Sequence, residues 1–176
     1  MLNAHDPTDD LRRAYPNYAT TILFSLITIG ALIGVPLYGF TYGYSWLDWT
    51  MFGILYVMTG LGITVGYHRL MAHRSFDCPN WVKTGFLIVG GWALENSAFK
   101  WAADHIRHHA QTDREHDPYN AQRGFWYSHC GWLFFKDAHS DEKYASRLRQ
   151  DPVVMWQHRY YMPIVLSGLG LTFVVG

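Results

Sequence analysis

Residues 18–40, YATTILFSLITIGALIGVPLYGF, and residues 46–67, WLDWTMFGILYVMTGLGITVGY, decide the fold of this 176-residue chain. Each is long enough, at a helical rise of about 1.5 Å per residue, to cross a hydrocarbon core of about 30 Å. No Lys or Arg lies between residues 14 and 68, and the only acid there, Asp48, sits at the end of a run. Buried helices of soluble proteins rarely run this far without a basic residue on any face. The pair predicts a transmembrane helical hairpin, turning at Thr41-Tyr42-Gly43-Tyr44-Ser45.

The flanking charges orient it. Of the 14 Lys and Arg residues, Arg12 and Arg13 precede the first run, and the rest fall between Arg69 and Arg159. Positive flanks stay on the cytoplasmic side. Residues 1–17 and the segment from His68 onward are therefore expected inside, and the turn outside. Tyr18, Tyr42, Tyr44, Trp46, Trp49 and Tyr67 fall near the span ends, where interfacial aromatics gather. The start, Met1-Leu2-Asn3-Ala4-His5-Asp6, has no basic n-region or cleavage site, so no removable signal peptide is expected. Zero net charge gives no argument for nucleic-acid binding.

Residues 68–162 read as a cytoplasmic helical cap. Within it, Phe86–Leu94 is apolar but too short to span, predicting a surface-lying amphipathic helix over residues 80–100 that continues through Trp101. Asp151-Pro152 marks a break. A third apolar run occupies residues 163–176, too few to cross a bilayer, and is expected to be the start of a truncated third span in a longer protein. The expected fold class is all-α and integral to the membrane.

The cap carries two histidine clusters, His68-Arg69-Leu70-Met71-Ala72-His73 and His105-Ile106-Arg107-His108-His109. Imidazole binds iron, copper, zinc and nickel. Five neighbouring rings can share few protein partners without a metal. On an ideal α-helix His105 and His109 lie about 40° apart, while His108 points about 60° to the other side of His105. The five-residue His68/His73 step gives about 140°, so that pair is expected to straddle a helix end or close around a metal. Five ligands in two directions suit an incomplete two-metal site better than a closed zinc site. A haem would need axial histidines inside the spans, and residues 18–67 contain none. Asp104 could hold a ligating ring or cap a helix N-terminus. His116, His129, His139 and His158 are expected to be surface or hydrogen-bonding residues, and Cys78 and Cys130 reduced thiols.

Gly66-Tyr67-His68-Arg69-Leu70-Met71-Ala72-His73-Arg74-Ser75 resembles the first histidine box of the membrane fatty-acid desaturases, especially the delta-9 acyl-CoA type. Trp101-Ala102-Ala103-Asp104-His105-Ile106-Arg107-His108-His109 resembles their second box. Asp117-Pro118-Tyr119-Asn120, the run from Arg123 to Trp132 that includes His129, and Arg159-Tyr160-Tyr161 are similar to that family too, in its order and spacing. The resemblance implies two membrane hairpins with a cytoplasmic cap, and two non-haem irons held by eight or nine histidines. It implies dioxygen as co-substrate, and electrons from a ferredoxin- or cytochrome-type protein with its reductase. The family's third box follows its fourth span and lies beyond this chain.

The activity implied is insertion of a cis double bond, delta-9, into a saturated acyl chain. Acyl-CoA is the first choice of carrier, with acyl-lipid and acyl-carrier protein open. Tyr56 and Gly60, one turn apart and 12 and 8 residues before His68, match positions that close the family's acyl tunnel. Trp101, Asp104, Asn120, Arg123 and Lys136 are the other substrate-binding candidates. Ala103 stands where animal acyl-CoA members have arginine, and Lys136-Asp137 replaces a basic pair, thinning the cationic fork for a nucleotide phosphate. The rival readings are a membrane di-iron hydroxylase of alkanes or lipids and a non-catalytic, zinc-binding membrane protein. The two histidine spacings with the 117–120 and 123–132 runs favour the desaturase.

Overall fold

A computed structural model describes residues 15–114, 116–136 and 141–175. Arg12, Arg13 and His139, and the expected absence of a signal peptide, lie outside the described residues. The described residues form two compact units, 15–43 with 110–114 and 116–136, and 44–109 with 141–175.

In the first unit, Asn17 opens helix α1 (Tyr18–Tyr42) by accepting the Thr20 N–H, which would otherwise lack a partner in the first turn. Gly43, at φ +77°, ends it. Leu32 is 72% exposed and Phe40 92%, and no residue of the helix is buried. An apolar surface of that extent calls for lipid rather than water. Strand β1 (Tyr15–Pro16) pairs antiparallel with β2 (Phe135–Lys136), Tyr15 opposite Lys136. This two-residue pairing is the only sheet among the described residues, which are otherwise helix, turn and loop. Asn17 N–H donates to Phe134 O at 2.8 Å, and Phe24 meets the Phe134 ring edge-on at 5.5 Å.

The second unit begins with α2 (Trp46–Ala72). A reciprocal capping box starts it: Ser45 N–H donates to the Asp48 carboxylate at 2.7 Å, and Asp48 N–H to Ser45 Oγ at 3.2 Å. Asp48 is thus the helix's N-terminal anion as well as the lone acid of the span. Thr50, Thr59 and Thr64 each donate their hydroxyl to the carbonyl four residues back, so their polar atoms need no water. The helix runs on past Tyr67 to Ala72, and residues 62–72 are wound as a π-helix.

The segment after the first cluster differs from the expected surface-lying helix. Helix α3 (Asn80–Trp92) packs on the π-wound part of α2 and on α7 (Tyr161–Val175). Small residues permit the approach: a Cβ on Gly62 would lie 2.4 Å from Gly90 N, and one on Gly90 would lie 2.5 Å from Tyr67 Cε1. The chain then breaks, with Leu94 at φ +63° and Asn96 at φ +81°, before α4 (Ala98–Gln111). Two helices therefore replace the single one expected, and the break falls after Gly90-Gly91 because those glycines serve packing. Tyr67, Leu70, Met71, Leu87, Phe99, Ala102, Leu148 and Val154 form one buried core. Helix α6 (Pro152–Arg159) is capped by Asp151, whose carboxylate accepts from Val153 and Val154 N–H and from Lys83 Nζ at 2.5 Å. Burial pushes the Asp151 carboxyl up, but the Lys83 ammonium and the two N–H groups outweigh it and hold the group below its usual range.

Candidate metal centre

The first cluster is positioned by the winding of its helix. In an α-helix a five-residue step would splay His68 and His73 by about 140°. Here the His73 N–H donates to the His68 carbonyl at 2.9 Å, an i→i+5 bond that brings the two residues onto one face. Their rings meet edge-on with centroids 4.6 Å apart. The expected straddling of the helix end is also met, since His73 is the residue that ends it.

On α4, His105 and His109 project from one face, their Nε2 atoms 3.0 Å apart. His73 Nε2 lies 3.1 Å from His105 Nε2, and the His68 and His105 ring centroids are 4.6 Å apart. One nitrogen from each of His68, His73, His105 and His109 falls within 4.8 Å of the other three. Two nitrogens on one ion at about 2.1 Å can be at most about 4.2 Å apart, so the close pairs fit a shared ion as they stand. Such convergence of basic nitrogens is unfavourable for protonated rings and favourable around a cation. Burial, followed by the neighbouring His68, His109, His73 and His108, pushes His105 down to about 4, and burial with His73 and His108 lowers His109. At neutral pH His105 is a neutral imidazole, the form that binds metal.

His108 stands apart from this set, 6.3 Å from His105 and 5.4 Å from His109 by ring centroid. Trp101 stacks on His105 at 4.8 Å and 21°, its indole N–H donating to Glu95 at 3.1 Å. It thereby forms an apolar wall on one side of the histidine group. Asp104 lies within α4, six residues past its start, which removes the N-capping alternative.

The remaining candidates are distributed. Tyr56, 71% exposed, and Gly60, with nothing within 4 Å of a Cβ, lie on an open face of α2. Asn120, in the first unit, is buried and shapes its own loop, donating to Arg114 O and accepting from Gln122 N–H. Arg123, in that unit too, donates to Tyr127 OH at 2.7 Å and lies over its ring. Of Lys136 only the backbone is described, pairing with Tyr15. Cys78 and Cys130 are free thiols. Within the short helix α5 (Phe125–His129), His129 stacks on Phe125. His158 bonds to Ser97 Oγ through Nδ1 at 2.7 Å.

Residues that support the site escaped the sequence reading. Arg147 donates to the Met71 and Ala72 carbonyls, the orphan end of the π-helix between His68 and His73. Gln157 and His158 reach the start of α4. The available signal was a polar Gln157 three residues after Val154, on the apolar side of a short helix.

No protein-family model matches the chain. Among curated proteins it is 34% identical over 165 residues to an sn-1 stearoyl-lipid 9-desaturase of Anabaena variabilis, 91% of this chain and 59% of that protein. It is 40% identical over 150 residues to a stearoyl-CoA desaturase of Capra hircus, and 37% identical over 150 to that of Homo sapiens. Each of these two matches covers 82% of this chain and 41% of the relative. The chain thus spans about half the length of the curated relatives it matches. With two helices long and apolar enough to cross a membrane and a four-imidazole group fit for a metal, the chain belongs to the delta-9 branch of the membrane fatty-acid desaturase family.

Proposed function

We propose that the whole protein is a membrane-bound, oxygen-dependent fatty-acyl desaturase that places a cis double bond, delta-9, in a saturated acyl chain. The observation that carries this reading is the convergence of His68, His73, His105 and His109 from two separate helices, in a chain matching delta-9 desaturases over most of its length. His68, His73, His105 and His109 would hold one non-haem iron, and His108, with further imidazoles of the kind the family's third box supplies, would serve a second. With dioxygen and two electrons, such irons supply the oxidising power to take hydrogen from an unactivated methylene.

The protein's own residues bind and position. Trp101 keeps one side of the histidine group apolar and holds the His105 ring by stacking. Tyr56 lies at most about 18 Å along the helix from His68, and with Gly60 sets the far end of the acyl slot. Asp104, next to His105 on α4, contacts the head group. Relatives acting on CoA and on lipid esters both match, and acyl-CoA remains the first choice of carrier, with acyl-lipid next. Electrons come from a ferredoxin- or cytochrome-type donor with its reductase, on the cytoplasmic face where the basic residues lie.

Four imidazoles alone would also suit one closed zinc, and this favours a metal-binding, non-catalytic protein as the second reading. Expression of the full-length protein in a desaturase-deficient host separates them. Gas chromatography of cellular fatty acids should show a new delta-9 monoene, lost in His105→Ala. Hydroxylated products would point to the hydroxylase reading, and unchanged fatty acids with bound zinc to the second reading.

A further inference from the structure

Gln157 is fully buried and belongs to no histidine box, yet it bonds to both helices that carry them. Its Oε1 accepts the Ala98 N–H at 3.1 Å, the first residue of α4. Since a backbone N–H can only donate, this fixes the amide's orientation and aims Nε2 the other way. Nε2 donates to Tyr67 OH at 2.7 Å and approaches Leu87 O at 3.4 Å. Tyr67 is the residue before His68, and its own hydroxyl donates to Asn96 O at 3.4 Å, in the break before α4. Next along α6, His158 holds Ser97 Oγ, which faces Lys100 N–H in the first turn of α4.

Convergence of the four imidazoles depends on how α2 and α4 are set against each other along their axes. Direct packing between apolar side chains sets separation, but it tolerates sliding and rotation. A buried amide with both ends engaged does not, because any slide leaves a donor or acceptor unpaired in a dry core. We propose that Gln157 is a positioning residue for the metal centre, fixing the register of the two histidine helices through Tyr67 OH and the Ala98 N–H. This rests on the reading of the four histidines as metal ligands. Its effect passes through Tyr67 to His68 and, two turns along α4, through Ala98 to His105.

The test uses the full-length protein in detergent, stripped of metal and titrated with Co(II), following ligand-field absorption and thermal unfolding. Gln157→Met keeps the volume and removes the bonds to Ala98, Tyr67 and Leu87; Tyr67→Phe removes one hydroxyl and no packing. Groups hydrogen-bonded directly to metal ligands commonly change affinity 10- to 100-fold when lost, and Gln157 acts one residue further out, so the low end of that range applies. Gln157→Met should weaken Co(II) binding about tenfold and alter the absorption bands at temperatures where it is folded. Tyr67→Phe should weaken binding several-fold, and the double variant should be no worse than Gln157→Met. If Gln157→Met does not fold, Tyr67→Phe decides alone. Lower thermal midpoints with wild-type Co(II) affinity and spectrum would overturn the positioning role. Failure of the wild type to bind Co(II) would instead overturn the metal reading beneath it.

Discussion

Replacing Gly62 by Ala adds one methyl group where two helices meet backbone to backbone. An ideal Cβ there lies 2.4 Å from Gly90 N, 2.7 Å from Gly90 Cα and 2.9 Å from the Val89 carbonyl carbon. Carbon contacts are most favourable at about 3.5–4.0 Å, so α2 and α3 must part by roughly 1 Å. None of those three atoms belongs to a side chain that could rotate away. Overpacking of this kind costs about 1–3 kcal/mol, and the rigid partners put this site near 3. The helical preference of Ala over Gly returns about 1 kcal/mol, leaving a net loss of about 2. Gly85→Ala, on the exposed face of α3 with nothing within 4 Å, carries the same preference and no clash. The two variants should therefore differ by about 3 kcal/mol, roughly 6–12 °C in melting temperature at this chain length. Circular dichroism in detergent measures it. Equal midpoints for Gly62→Ala and Gly85→Ala would refute the close approach of α2 and α3.

Asp151 gives a pH-dependent expectation. Its folded pKa lies below the unfolded value, so its pairing with Lys83 stabilises the fold above about pH 4 and is lost as pH falls through the depressed pKa. The advantage of wild type over Asp151→Asn in thermal melting, present at pH 6, should shrink steadily as pH falls below about 4, while Asn retains the cap. For chain length, Tyr56→Ala should let longer acyl chains be desaturated and Gly60→Trp should restrict the enzyme to shorter ones. Two extra methylenes at about 0.8 kcal/mol each shift preference roughly tenfold, read by gas chromatography. With Cys78 and Cys130 replaced by Ser, an impermeant maleimide added outside cells should label Ser45→Cys and spare Ser146→Cys. The reverse would turn the histidines to the other face.

The spans were legible because lipid and water select so differently: fifty residues without a basic side chain have few other homes. The histidine chemistry was legible because its residue types are rare and clustered. What the spacing could not reveal was the winding. An ideal α-helix separates His68 from His73, and only the i→i+5 bond between them closes the pair. The break at residues 93–97 was hidden for a related reason. It uses Leu94 and Asn96 at positive φ, while the glycines that usually signal a turn, Gly90 and Gly91, lie inside α3 and face Tyr67 and Ile164. Supports such as Arg147 and Gln157 act 75 and 90 residues from their partners, a distance that no local pattern spans.

These imidazoles are proposed to hold the iron of a desaturase. Metal analysis of the full-length protein, purified without chelators, tests this most directly. About two irons per chain are expected, falling sharply when His105 is replaced by Ala. One zinc per chain with no iron would contradict it.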